Sequence, residues 1–215
     1  MSYILETIQY LLKGAGVSTM IFVVTLVFSF PLSVLLSIVY RQNKILQKII
    51  SFYTWLFRGT PLMLQLFFFM YGLPAIGIGT NRMTIALITF TLNYAAYFTE
   101  ILRAGIESIN KDQEESASVL GANKSQTFRF VILPQAIRKE LPTITNEVIS
   151  LIKDTSLVTV IAISDIMRDV KEIVSRDFTI SPFVIAAVFY LLFSFIIVKV
   201  FRQMENKYDF IDNNI

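Results

Sequence analysis

Long apolar runs separated by short charged segments dominate this chain of 215 residues. Gly14–Tyr40, Gly59–Asn81 and Phe178–Val198 contain no charged residue at all. A bilayer core about 30 Å thick takes roughly 20 apolar residues of helix, so each run is long enough to cross it. Two further windows qualify with interruptions: Met83–Leu102 is broken only by Glu100, and Leu141–Ser164 by Glu147, Lys153 and Asp154. The pattern predicts an all-α membrane protein with one transmembrane domain over 1–215. Its five spans are expected at about 14–40, 59–81, 83–103, 141–164 and 178–200. The residues ahead of the first run, SYILETIQYLLKG, lack the basic start of a signal peptide and no small-residue cleavage site ends the run. The first span is therefore expected to stay in the mature protein.

An odd number of spans puts the two ends on opposite sides, and basic residues mark the cytoplasmic side. Segment 41–58 carries Arg41, Lys44, Lys48 and Arg58 without an acid. Segment 103–140 carries Arg103, Lys111, Lys124, Arg129, Arg138 and Lys139, and the tail adds Lys199, Arg202 and Lys207. The opposite side holds Lys13, Arg82 and a loop in which Arg168, Lys171 and Arg176 are offset by Asp165, Asp169, Glu172 and Asp177. The amino terminus is expected outside and the carboxyl terminus in the cytoplasm.

The cytoplasmic loop contains DQEESASVLGANKSQTFRFVILPQ, residues 112–135, which reads like a piece of soluble helix-turn-helix. Asn110 can cap a first helix with Gln113 three positions on, and Asp112, Glu114 and Glu115 suit its positive end. Gly121 is a natural left-handed terminator, and a second helix can restart near Asn123 or Ser125 and run until Pro134 constrains it. Ala117, Val119 and Leu120 leave one face of the first helix small and apolar. Two readings follow: a solvated connector at the membrane surface, or a helix that inserts into a groove on a partner. A DNA-reading unit is excluded, because the first helix is acidic and both ends are held at the bilayer.

Composition removes most chemistry. Charged residues are only 16% of the chain against about 25% in ordinary soluble domains. With no Cys and no His, thiol nucleophiles, His bases and the usual zinc and haem ligand sets are absent. A Walker A sequence, GxxxxGK[ST], is also missing, so the chain is expected to be neither an ATPase nor any other enzyme, and no catalytic residue, metal or cofactor is assigned to it. What remains is polar residues inside spans, which are costly and usually face a bundle interior or a cavity. Thr89, Asn93, Tyr97 and Glu100, spaced 4, 4 and 3, form one stripe of the third span, and Thr143, Asn146, Glu147, Ser150, Lys153 and Asp154 one stripe of the fourth. Glu100 and Glu147 can also be read as lying near the cytoplasmic ends, reaching water or Arg103. Lys153 and Asp154 fall mid-span, where a bare charge costs at least about 2.5 to 3.5 kcal/mol. They either lock the span to a neighbour or line a water-filled path. The stretch Phe57-Arg58-Gly59-Thr60-Pro61 is expected to bend or restart a helix, as a hinge or as a plain span start.

At this point the chain resembles a known family. Glu115-Ser116-Ala117, Gly121 four residues later, nine residues, and then Val131-Ile132-Leu133-Pro134 are similar to the EAA loop of permease subunits of bacterial ABC importers, E-A-A-x(3)-G-x(9)-I-x-L-P. Ser116 replaces the first Ala and Val131 the Ile. LFRGTPLMLQLFFFMYGLP, LNYAAYFTEILRAGIESI and LPQAIRKELPTITNEVISLIKDTSLVTVI resemble the polar amino-acid branch, and the likeness covers about 10–205. It implies a multi-pass bacterial inner-membrane permease of the type I importer fold, with a cytoplasmic coupling helix between spans three and four. Partners implied are a cytoplasmic ATPase dimer that uses ATP and Mg, a second permease subunit, identical or related, an external substrate-binding protein and membrane lipid, with no nucleic acid. The external loop 165–177 would suit that binding protein or be simply solvated. Glu115, Ser116, Ala117, Gly121, Leu133 and Pro134 would couple to the ATPase, with Ala117 the small residue that permits close approach. A polar amino acid would pass Asn93, Tyr97, Glu100, Asn146, Glu147, Ser150, Lys153 and Asp154. The rival readings are a secondary transporter driven by an ion gradient and a structural membrane subunit, although no inverted repeat is apparent.

Overall fold

The computed structural model describes residues 2–212, and within them the apolar runs become helices that differ in length and burial. In order these are α1 (Ser2–Tyr40), α2 (Lys44–Gly59), α3 (Leu62–Ala75), α4 (Arg82–Glu107), α5 (Lys111–Val119) and α6 (Lys124–Thr127). A five-residue π-helical stretch, Phe128–Ile132, leads into α7 (Leu133–Lys139) and α8 (Leu141–Asp154). A 3-10 turn, Thr155–Ile161, precedes α9 (Ile166–Asp177) and α10 (Ser181–Asp212). Among the described residues α1, α4 and α10 are long and apolar enough to cross a bilayer singly, and the α2–α3 pair adds a fourth crossing if it counts as one broken span.

Two of the expected spans differ from the helices observed. The second, expected at 59–81, holds α3, and the stretch before it, expected as cytoplasmic, forms α2, which meets α3 at 105° across Thr60 and Pro61. A residue before proline is driven out of the helical region, and Thr60 (φ −116°, ψ 143°) and Pro61 (φ −60°, ψ 134°) are both extended. The Phe57–Pro61 stretch is thus a sharp bend between two helices, not a simple start. In the fourth, α8 ends at Asp154 after 14 residues, about 21 Å of helix, and the chain continues as a 3-10 turn closed by Ala162 in the left-handed region. The turn sequence TSLVTVI is rich in β-branched and hydroxyl residues that compete with α-helix, and Thr155 Oγ1 donates to the Ile152 carbonyl at 2.8 Å.

Helix α4 is the centre of the fold. Its Ala86, Phe90, Tyr94, Phe98 and Leu102 recur every fourth residue and are essentially fully buried. Helix α1 packs on α4, and small residues are buried on both: Ser18, Thr25, Ser29, Ser33 and Ser37 on α1, and Ala95, Ala96 and Thr99 on α4. Small side chains let membrane helices approach closely; Ser33 and Ser37 bond back to their own helix, to the Phe30 carbonyl at 2.6 Å and the Ser33 carbonyl at 2.8 Å. On the other side of α4 lie α3, α8 and the 3-10 turn, sharing the core of Leu62, Leu66, Ile144, Val148, Leu151 and Val158. By contrast Leu191, Leu192, Phe195 and Ile196 on α10 are exposed, as residues facing acyl chains would be.

At the predicted external end, α9 is an amphipathic helix that does not span. Its Ile166, Val170 and Ile173 pack on Leu11 and Ala15 of α1 and on Ala186 of α10. Asp165 caps it, accepting the Met167 and Arg168 N–H groups at 3.1 Å. That carboxyl is buried, which pushes its pKa up to about 6.

Candidate functional site

Two places in this fold carry polar groups that packing alone does not use. The first is a cavity of about 580 Å³ at the α2–α3 break, bounded by α4, α8 and the 3-10 turn. Tightly ordered hydrogen bonds build its wall. The break exposes the Phe57 carbonyl, which accepts from Gln65 Nε2 at 2.8 Å and from Asn93 Nδ2 at 3.1 Å. Asn93 also donates to Gln65 Oε1 at 3.0 Å, and Gln65 holds the Thr60 hydroxyl at 2.8 Å. The backbone groups freed by the bend are thereby satisfied inside the protein, as a low-dielectric setting requires.

The charges of the cavity are separated across it. Glu147 and Asp154, seven residues apart on α8, share its lining with Ser150 between them. Tyr94 Oη donates to Asp154 Oδ2 at 2.7 Å, whereas Glu147 makes no hydrogen bond or ion pair among the described residues. Facing them is Arg58, whose guanidinium lies 5.6 Å from the centre of the Tyr97 ring and 3.8 Å from Glu100 Oε2. Cation and ring attract because the ring face is negative.

The expected polar stripes thus divide. Asn93, Tyr97, Glu147, Ser150 and Asp154 line the cavity. Glu100 stands outside the lining, receiving Arg103 at 2.7 Å and the Thr54 hydroxyl at 2.8 Å, so it is a packing hub with the charge partner the sequence suggested. Thr143, Asn146 and Lys153 are exposed and outside the cavity lining: Thr143 lies one turn before Glu147 on the same face, and Asn146 and Lys153 are each one residue, about 100°, off that face. The cation in the cavity lining is Arg58, while Lys153 stands next to Asp154 in sequence and outside that lining. Sequence reasoning also passed over Tyr94, hidden in the apolar stripe of α4, and Gln65. Gln65 did have a signal, as the lone strongly polar residue in the run LMLQLFFFM.

The second place is the segment 110–135. Asn110 caps α5, accepting the Asp112 N–H, while the reciprocal capping box forms at the next helix, between Asn123 and Gln126. Gly121 turns the chain at φ +84°, in the region where side chains other than glycine are strained, and a Cβ there would meet open space. Pro134 does not stop the second helix. The π-helical stretch ahead of it shifts the hydrogen-bond register, and α7 carries Leu133 and Pro134, both half-buried in the protein's own fold. Ala117 is likewise turned inward, packed under α5, so its small size serves the protein's own packing. The outward surface is a shallow hollow formed by Asp112, Glu115, Ser116, Val119 and Leu120, with Val119 87% and Leu120 88% exposed. Glu114 is tied to Arg41 at 2.6 Å, whereas Glu115 has no ion pair among the described residues. Arg41 also lies over the Phe128 ring at 5.7 Å, fixing this segment to the end of α1.

Residues 29–209 match the model of a family described as the binding-protein-dependent transport system inner membrane component. The chain belongs to this family. It is 34% identical to the arginine transport system permease protein ArtQ of Bacillus subtilis (strain 168) over 203 residues, 93% of each chain. It is 38% identical to the L-cystine transport system permease protein TcyB of the same organism over 173 residues, covering 79% of this chain and 74% of that one. Its fold matches the crystal structure of an amino acid ABC transporter with histidines at a TM-score of 0.85, with 26% identity over 95% of this chain and 97% of that one. The protein is therefore a membrane permease of the amino-acid ABC transporter type. The relatives are transport permeases, in keeping with a chain that carries no His, Cys or nucleotide-binding motif.

Proposed function

We propose that this permease is the membrane subunit of an ATP-driven importer of a polar amino acid, and that the solute is held in the cavity at the α2–α3 break. The observation that carries the reading is the separation of charge there: Glu147 and Asp154 on one side, Arg58 on the other. An amino acid presents an ammonium group and a carboxylate, and charge-assisted hydrogen bonds to each would orient it between the two walls. Ser150 and Asn93 would add neutral contacts. ArtQ is named for arginine transport and TcyB for L-cystine, and both solutes share the amino-acid backbone while differing in side chain.

The remaining assignments follow from that reading. The chain crosses the membrane five times, as α1, the α2–α3 pair, α4, α8 with its 3-10 turn, and α10, with the amino terminus outside. Its α5 is the coupling helix, seated in a groove of a cytoplasmic ATPase through Glu115, Ser116, Val119 and Leu120, with Gly121 as the turn. Ala117, Leu133 and Pro134 hold that helix in place. ATP and Mg are bound and used by the ATPase pair. A second permease subunit, identical or related, completes the path, and a substrate-binding protein delivers the solute near α9.

Co-purification tests this directly. The chain, solubilised from its native membrane, is expected to bring down a stable subunit carrying a Walker motif, and α5 variants at Val119 and Leu120 changed to Asp are expected to lose it. A permease recovered without any nucleotide-binding subunit, in conditions that preserve other membrane complexes, would contradict the assignment.

A further inference from the structure

Helix α2 carries two parallel stripes on its outer surface. Ile45, Ile49, Phe52 and Leu56 are exposed, at 72%, 58%, 61% and 40%, and Trp55 at 68% lies beside them. Their spacing of 4, 3 and 4 puts them on one side of the helix. One position around run Lys44, Lys48, Ser51 and Arg58, at the same kind of spacing. The opposite side faces inward: Ile50 and Thr54 are buried, the Tyr53 hydroxyl donates to the Leu92 carbonyl of α4, and Thr54 donates to Glu100. The helix thus has three sides: one held by the protein, one apolar and uncovered, and one basic.

The 105° bend at Thr60 and Pro61 turns α2 away from α3, so the two stripes are not covered by it. Lys44 and Lys48 make no ion pair among the described residues, and no acid occurs anywhere in 41–58. A helix with an apolar side and a basic side that includes Trp55 matches the lipid–water interface, where anionic headgroups meet acyl chains. We propose that α2 seats in the cytoplasmic leaflet and recruits anionic lipid. Lys44 and Lys48 meet the headgroup phosphates, Trp55 follows them two turns on in the same row, and Ile45, Ile49, Phe52 and Leu56 enter the acyl region. The occupant is argued from charge: the basic row beside the apolar one complements an anionic headgroup on an acyl chain, and no acid in 41–58 competes for it.

This contact reaches the cavity, because α2 ends on it. Phe57 supplies the carbonyl that anchors Asn93 and Gln65, and Arg58 supplies the cation. Lipid that holds α2 therefore holds both. The inference rests on membrane insertion alone and is independent of which solute is carried or of ATP.

Trp55 is the single tryptophan of the chain, so its fluorescence reports this helix without labelling. The full chain is reconstituted in phosphatidylcholine vesicles containing equal mole fractions of either brominated phosphatidylcholine or brominated phosphatidylglycerol. Bromine on the acyl chains quenches only a tryptophan in contact with that lipid. Brominated phosphatidylglycerol is expected to quench more strongly, with an apparent preference of about fivefold or more, since one Lys near an anionic surface is worth roughly a factor of five. The K44Q/K48Q variant is expected to lose the preference, K44R/K48R to keep it, and high salt to weaken it. Equal quenching by the two lipids in the unsubstituted protein, or a preference that survives K44Q/K48Q, overturns the proposal. So does a Trp55 that neither lipid quenches, which would mean that this side faces water or another copy of the chain.

Discussion

At the scale of single residues the cavity depends on three charges whose neighbours differ. Asp154 has Tyr94 as a hydrogen-bond donor, Glu147 has no direct partner among the described residues, and Arg58 leans on Tyr97. If Arg58 receives the solute carboxylate, replacing it by Met removes a charged hydrogen bond worth about 1.5 to 3 kcal/mol, equivalent to about a ten- to hundredfold rise in KM for uptake. Lys153→Met, outside the cavity lining, is expected to leave KM unchanged. Radiolabelled uptake by both variants checks the assignment, and the reverse order of effects would return the role to Lys153. Asp165 gives a pH prediction away from the spans. Its carboxyl titrates near 6 in the fold, above the ordinary value of about 3.9, so the folded protein binds more protons between those limits. Its contribution to stability is full below about pH 4 and lost as the pH rises through about 6. Asp165→Asn keeps the helix-capping oxygen and removes the charge, so its melting temperature is expected to vary less between pH 4.5 and 7 than that of the unsubstituted protein. Identical pH dependence in the two would refute the assignment.

At the scale of elements, sequence pattern and structure part company for physical reasons. The runs that became α1, α4 and α10 were legible because length and apolarity suffice to define a crossing helix. The second expected span was legible as an apolar segment but not the helix α2 bent against its start, since Pro61 could mark a bend or a helix start, and the fourth was not legible as a broken span, since TSLVTVI reads equally as buried helix. Spacing correctly put Glu147, Ser150 and Asp154 on a common face, yet it could not exclude Asn146 and Lys153, which lie within about one position of the same arc. Arg58 was counted as a membrane-border cation because its approach to the cavity depends on the 105° bend. The α5 turn was legible from Gly121, and its strain is testable. Gly121→Val puts a β-branched residue at φ +84°, at a cost of about 1 to 3 kcal/mol, in a segment that does not span. It is expected to leave the protein in the membrane while uncoupling ATP hydrolysis from uptake, as is Glu115→Lys. Full coupled transport by both variants would show that α5 is only a connector. Gly105 matters for a different reason: a Cβ there would lie 2.7 Å from the Glu140 Cγ and 3.0 Å from the Ala136 carbonyl of α7. Gly105→Ala is expected to separate α4 from the segment that carries α5, lowering thermal stability by about 1 to 3 kcal/mol, measurable as a drop in melting temperature.

At the scale of the whole molecule, the arrangement joins a cavity within the bundle to an exposed helix on one face. Glu100 lies between them, bound to Thr54 of α2 and to Arg103, which reaches Glu107 at 2.9 Å near the end of α4. From there α5 is tied back by the Arg41–Glu114 pair. Such a chain of contacts suits a subunit whose solute site responds to a partner bound at α5. The measurement that tests this most directly is solute uptake into liposomes holding the purified complex of this chain and its ATPase, supplied with the substrate-binding protein, with ion gradients abolished by ionophores. The account predicts amino-acid uptake that requires ATP on the ATPase side, persists without any gradient, and fails when Glu147→Gln and Asp154→Asn are combined. Uptake that continues without ATP or its ATPase and collapses with the ion gradient would contradict it.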